Sequence, residues 1–291
     1  MSSAQLALGP VLYYWPQQTL LDFYEQIITT PVDIIYLGET VCSKRKALRT
    51  GEWLELARHL KASGKEVVLS TLALMEAESE LKTLRRLCDN GDLTVEANDM
   101  AAVQLLAGRP FVAGASLNIY NPHSLRKLAD LGMQRWVLPL ELGRETFTAL
   151  CADAPAGVSS EVFAYGRLPL AYAARCFTAR AHNLPKDDCQ FRCLDDPDGL
   201  LLKTQEASPF LVLNGIQTQS AQSVNLLPML DECLQAGADV LRISPQSQHT
   251  SAIINAFHAA LNQQPAKLPN APLGTCDGYW RGEAGLDSAS A

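Results

Sequence analysis

Short apolar runs alternate with amphipathic helical patterns along most of the chain, and this alternation limits the fold more than any other feature. The runs fall at residues 9–14, 32–37, 66–71, 93–96, 111–115, 136–140, 161–165 and 240–243. Each has the length and composition of a buried strand. Between them the spacing changes to that of helices. Leu20, Phe23, Tyr24, Ile27 and Ile28 recur on one side of a helix opening near Pro16, whose fixed φ suits a first turn. Trp53, Leu56, Ala57 and Leu60 mark a second helix that stops at Gly64, and later helices stop at Gly108 and Gly132. Asn121 and Pro122 read as a cap and first-turn pair, and Ile253, Ile254, Phe257 and Leu261 form the last apolar stripe.

Eight strand–helix alternations predict an α/β fold of the (β/α)8, TIM-barrel type. A doubly wound sheet would alternate similarly, but no Gly-rich turn follows the first run, so the dinucleotide fingerprint is missing. Residues 200–214 interrupt the pattern as a hairpin-like insertion before the last unit. The expected organisation is a barrel domain over residues 1–263, with a small insertion at residues 197–216. Residues 264–291, rich in Pro, Gly and Ser, follow as a C-terminal tail.

Composition narrows the function. With 47% hydrophobic and 19% charged residues, a chain of this length can bury a large core. No apolar run reaches membrane-spanning length. The N-terminus lacks the basic and long apolar regions of a signal peptide, so a cytoplasmic location is expected. In that reducing compartment the eight cysteines need not form disulfides. A net charge of −7 and the lack of a basic stripe with interleaved aromatics argue against a nucleic-acid partner. The one local basic patch is Lys44, Arg45, Lys46 and Arg49.

Three cysteines sit close together, Cys176, Cys189 and Cys193, in RCFTARAHNLPKDDCQFRC. The last two could share a helical face or a tight turn, and Pro185 forces a loop that can return Cys176 to them. A fourth thiolate has its best candidate in Cys42, just past the second strand at the rim where barrel chemistry gathers. Cys88, Cys151, Cys233 and Cys276 are explained as small buried thiols. Four thiolates suit zinc or an iron–sulfur cluster, and spacing leaves both open, together with plain structural thiols. His182 could replace one thiolate but reads better as a neighbour.

Rim logic also singles out Glu39, Asn98, Asn118, Glu141 and Arg144, with solvated surface or helix caps as the ordinary explanation. Tyr165 and Arg167 could meet an aromatic or anionic ligand, and Arg175 stands beside Cys176. No Ser–His–Asp grouping is recognisable, and catalytic residues are not assigned.

The stretch EVFAYGRLPLAYAARCFTARAHNLPKDDCQFRC closely resembles the signature region of the U32 peptidase family. With LGPVLYYWP, VCSKR, SLNIYN and the 200–214 insertion, it is similar to the UbiV-like branch associated with oxygen-independent ubiquinone biosynthesis. The resemblance covers residues 6–262 and implies a (β/α)8 core. It also implies a [4Fe–4S] cluster held by Cys42, Cys176, Cys189 and Cys193. It further implies a heterodimer with a UbiU-like U32 protein, a UbiT-like lipid-carrier protein in the same pathway, and ring hydroxylation of prenylated ubiquinone precursors with prephenate as oxygen donor. Many U32 members carry a cysteine where this chain has Pro169, which weakens a peptidase reading. A zinc- or cluster-stabilised scaffold, a U32-type hydrolase and an RNA-modification factor are the alternatives.

Overall fold

The computed structural model describes residues 4–288. Eight parallel strands close into a barrel. They are β1 (Gln5–Leu8), β2 (Ile34–Leu37), β3 (Glu66–Ser70), β4 (Thr94–Ala97), β5 (Phe111–Ala113), β6 (Met133–Val137), the first part of β7 (Ser159–Tyr172), and a final strand that follows an excursion. That excursion contains β8 (Leu200–Lys203), β9 (Pro209–Asn214) and β10 (Gln217–Asn225), and the chain then returns as β11 (Val240–Ile243). β11 pairs in parallel with both β1 and β7, which closes the barrel. The expected (β/α)8 fold is therefore the observed one.

The helices form the outer layer. α1 (Gln17–Ile28), α2 (Thr50–Ala62), α3 (Glu78–Cys88), α4 (Met100–Leu106), α5 (Pro122–Asp130) and α6 (Arg144–Ala152) each follow a strand. α7 (Phe177–Ala181) and α8 (Leu230–Gln235) belong to the excursion, and α9 (Thr250–Leu261) follows β11. Their apolar faces pack on the barrel: Leu20, Tyr24 and Ile27 of α1, and Ile253, Ile254 and Phe257 of α9, are all buried. Asn121 caps α5, its side chain accepting the Ser124 N–H at 2.9 Å, and Pro122 opens the helix.

Several strand boundaries differ from expectation, most of all at the first, sixth and seventh strands. The first strand is Gln5–Leu8, not residues 9–14, which cross the rim as a loop. Pro10 lacks the N–H that a central strand needs, and Leu6, Ala7 and Leu8 are the residues that pair with β11 and β2. The sixth strand begins at Met133 and overlaps the expected run only at Trp136 and Val137. The 200–214 hairpin exists, but it is the outer part of a larger antiparallel sheet. β7 runs on beyond the barrel and pairs with β10, which pairs with β9, and β9 with the edge strand β8. After α9, β12 (Thr275–Cys276) joins β10, and α10 (Gly278–Arg281) buries Trp280 against Phe147, with ring centroids 5.9 Å apart.

The barrel interior is polar at one level. The Arg242 guanidinium bonds Glu161 through Nε at 2.6 Å and pairs with Glu96 through Nη1 at 2.8 Å, lying 4.0 Å from the Tyr36 ring centroid. Tyr36 donates its hydroxyl to Glu161 at 2.5 Å, and Ser70 donates to Glu96 at 2.6 Å. Buried charges persist when every one has a partner, as these do. Burial, followed by the Glu161 charge, pushes the Tyr36 phenol well above its ordinary range.

Candidate functional site

Cys42, Cys176, Cys189 and Cys193 line one small cavity outside the C-terminal ends of β2 and β7. Three separate segments bring them there. Cys42 sits in the loop after β2. The chain leaves β2 at Gly38, whose φ is +136° and where a Cβ would stand 2.5 Å from the Ser70 carbonyl oxygen, so only glycine fits the exit. Glu39 then accepts the N–H groups of Val41 and Cys42 at 2.9 and 3.0 Å and fixes the cysteine loop. Burial pushes the Glu39 carboxyl up, against the pull of Arg45.

Cys176 caps α7, its Sγ accepting the Ala179 N–H at 3.4 Å. The segment is tied to the hairpin by the Phe177 N–H to Gly215 O bond at 2.8 Å and the Gly215 N–H to Thr178 Oγ1 bond at 2.9 Å. Cys189 and Cys193 flank a turn in which Gln190 and Phe191 both have positive φ, so their placement comes from a tight turn and not a helical face. Lys44 bridges the first and third segments, bonding Lys186 O at 2.9 Å and Asp187 at 2.8 Å.

Arg45 is the charged centre of this region. It is 5% exposed, donates from Nη1 to Leu12 O and from Nη2 to Asn214 Oδ1, both at 2.7 Å, and stands 3.8 Å from Glu39. Its Nε has no hydrogen-bond partner among the described residues. A side chain at Gly215 would come within 2.8 Å of Nη2, so the glycine makes room for the guanidinium. The basic run around Lys44 is therefore no open cationic patch, because Arg45 is buried and Lys44 is paired. Burial raises the Cys42 and Cys193 thiols, and the Arg45 charge opposes the rise in both.

The other expected residues separate into different places. Asn98, Asn118 and Glu141 line the barrel mouth, a cavity of about 180 Å³ that also meets Glu96, Arg242 and Ser244. Asn98 is locked there, bonding Thr71 O at 3.0 Å and Glu96 at 3.3 Å, and Tyr120 donates its hydroxyl to Glu141. Arg144 pairs with Glu232 on the outside at 2.5 Å. Arg175 is exposed beside Cys176, and His182 ends α7. Tyr165 and Arg167 lie away from the cysteines, in a third cavity. The sequence reading missed Arg45 as a partner of the cysteines. It also passed over Glu96 and Arg242, whose signal was a charge inside an otherwise apolar strand run.

The model of peptidase family U32 matches residues 21–273. This chain belongs to peptidase family U32. Among solved structures, a U32 peptidase aligns with 13% identity and a TM-score of 0.46, covering 85% of this chain and 95% of that one. Orotidine 5'-phosphate decarboxylase from Pyrococcus horikoshii aligns at 11% identity and a TM-score of 0.43, covering 87% and 98%. Dihydropteroate synthase from Thermus thermophilus aligns at 13% and 0.46, covering 89% and 94%. The four-cysteine cavity lies within residues 21–273, the stretch that the family model matches.

Proposed function

We propose that this chain is the iron–sulfur subunit of a two-protein, oxygen-independent hydroxylase of prenylated aromatic ubiquinone precursors. Prephenate is the oxygen donor in this reading, a UbiU-like U32 protein is the partner subunit, and a UbiT-like lipid carrier serves the same pathway. One observation carries the reading: four cysteines from three segments line a single cavity at the rim of a U32 barrel.

The donor set fits a [4Fe–4S] cluster. Thiolates are its ordinary ligands, and the buried Arg45 cation offsets part of their negative charge. Among the described residues, no three His, Cys, Asp or Glu side chains are grouped to hold one metal ion. Four thiolates can hold zinc as well as a cluster, and the resemblance of the signature region is what favours the cluster in this reading. A cluster bound there would relay single electrons. Cys42, Cys176, Cys189 and Cys193 would fill all its protein positions, which assigns substrate activation to the partner or the shared interface. Phe191 and Leu194, 41% and 40% exposed beside the cysteine turn, offer a partner apolar surface.

Anaerobic purification with iron, sulfide and zinc analysis, followed by EPR of the reduced protein, tests the reading. About four irons and four sulfides per chain are expected. They should be lost when any one of Cys42, Cys176, Cys189 or Cys193 becomes Ala. Stoichiometric zinc without iron would favour a zinc-stabilised scaffold instead. Full hydroxylation by a folded, cluster-free variant paired with its partner would remove the electron-transfer role.

A further inference from the structure

The barrel mouth and the cysteine cavity share no lining residue, yet they stand back to back. Leu12 and Tyr172 line the mouth and also pack in the apolar cluster that holds Cys42, Cys176 and Cys189.

A hydrogen-bond chain crosses this wall. Arg45 donates from Nη2 to Asn214 Oδ1 at 2.7 Å. Asn214 donates from Nδ2 to Gln217 Oε1 at 3.0 Å, and Gln217 donates from Nε2 to the Tyr172 hydroxyl oxygen at 2.6 Å. Arg45, Asn214 and Gln217 are all buried. The direction of the chain is fixed at its charged end. A guanidinium has donors only, so Asn214 must turn its oxygen to Arg45. Its NH2 is then left for Gln217, and the Gln217 NH2 for Tyr172. Every link donates away from the cation, and Tyr172 receives at its oxygen. Its own hydrogen goes to no protein group among the described residues. Links polarised by a fixed charge strengthen one another, so this phenol is a good donor. Burial pushes it above the ordinary phenol range, and charges reach it from both sides: Glu96 in the mouth, Glu39 and Arg45 at the cysteines.

The mouth decides what can accept that hydrogen. Its charged groups are Glu96, Glu141 and Arg242, and Arg242 is already matched by Glu96 and by Glu161 below. The surplus is negative, so an anionic acceptor is repelled. An ammonium has no lone pair to offer. A neutral hydroxyl accepts from Tyr172 and can also donate to the surplus carboxylate, which a carbonyl cannot do. Leu12, Val137, Leu140, Phe163 and Leu170 make much of the remaining wall apolar. An apolar cavity of roughly 150 Å³ is enough to hold a benzene ring. The mouth offers about 180 Å³.

We propose that the barrel mouth binds a neutral phenol, whose oxygen accepts the Tyr172 hydrogen. The inference deepens the hydroxylase reading, on which it rests for why such a ring reaches this chain. It makes Tyr172 the point where a ring in the mouth meets the hydrogen-bond chain that starts at Arg45 beside the cysteines.

Ligand-observed NMR titration of the full-length, anaerobically purified chain tests the proposal, with iron and sulfide counted on the same preparation. The probes are phenol, toluene as nearly the same shape without the oxygen, and benzoate as the anion. Saturable phenol binding is expected, tighter than that of toluene or benzoate. Tyr172→Phe should weaken phenol by about three- to tenfold and leave toluene unchanged. Equal losses for phenol and toluene would make Tyr172 a packing residue only and overturn the proposal. So would absence of saturable phenol binding, phenol binding unchanged by Tyr172→Phe, or tighter binding of benzoate. If Tyr172→Phe does not fold, the unaltered chain still decides, because phenol bound no tighter than toluene overturns the site. Phenol binding in a chain without iron would sink the hydroxylase reading and keep the site, whereas iron without phenol binding would sink the site alone.

Discussion

Arg45 shows how much one side chain can organise. It is buried, ties Leu12 to Asn214, and sits where its charge acts on both Cys42 and Cys193. A fixed cation beside a cluster favours the reduced, more negative state. If the cluster is present, Arg45→Met should lower its midpoint potential by on the order of 50 mV, or roughly 1 kcal/mol for one electron. Arg45→Lys should keep most of the potential, because the charge remains. EPR-monitored redox titration of the two variants checks this, and equal potentials in both would deny Arg45 the role. The four cysteines were readable because their type and spacing limit what they can do. Arg45 was not, because a KRK run in sequence looks solvated, and only the fold buries its middle residue.

At the scale of elements, strand and helix periodicity located most of the barrel, and the errors came where one apolar run served two purposes. The stretch around residues 5–14 contains both β1 and the rim loop, and burial continues from one into the other. Hydrophobicity alone could not divide them. Pro10 could have done so, since its missing N–H excludes a central ladder position. The extension of β7 past the barrel was similarly hidden, because its pairing partner β10 lies 45 residues away at the Tyr172–Gln217 end. The C-terminal segment carries its own anchor. Trp280 is 5% exposed and packs on Phe147, which in turn meets Trp136 at 5.8 Å. Trp280→Ala should cost about 3–5 kcal/mol, the range for emptying a buried aromatic site. Urea unfolding measures it, and a change under about 1 kcal/mol would mean that the segment docks without contributing to stability.

For the molecule as a whole, the cysteines outside the cavity set an alkaline limit. Burial pushes Cys88, Cys151 and Cys276 up to about 11 and Cys233 up to about 12, from an ordinary thiol value of 9.0. The folded chain therefore keeps these protons to higher pH than the unfolded chain does. The stability they support is fully present below pH 9 and is lost as pH rises from there toward 12. Urea midpoints should fall as pH rises from about 9 to about 11, with a shallower fall in Cys233→Ala, and a flat profile would contradict the assignment. What the sequence determined by itself was the barrel class and the identity of the four rim cysteines. Strand–helix alternation is local, and a cysteine can be recognised as a possible ligand by its residue type and spacing alone. The tertiary structure alone decided which segments meet. It brought Cys42 to Cys176 across the barrel rim, buried Arg45 among the cysteines, closed Glu96, Glu161 and Arg242 into one network, and set Tyr165 and Arg167 in a cavity of their own. Each of these is a contact between residues far apart in the chain, fixed by closure of the barrel and by pairing of β7 with β10, and no local pattern encodes either.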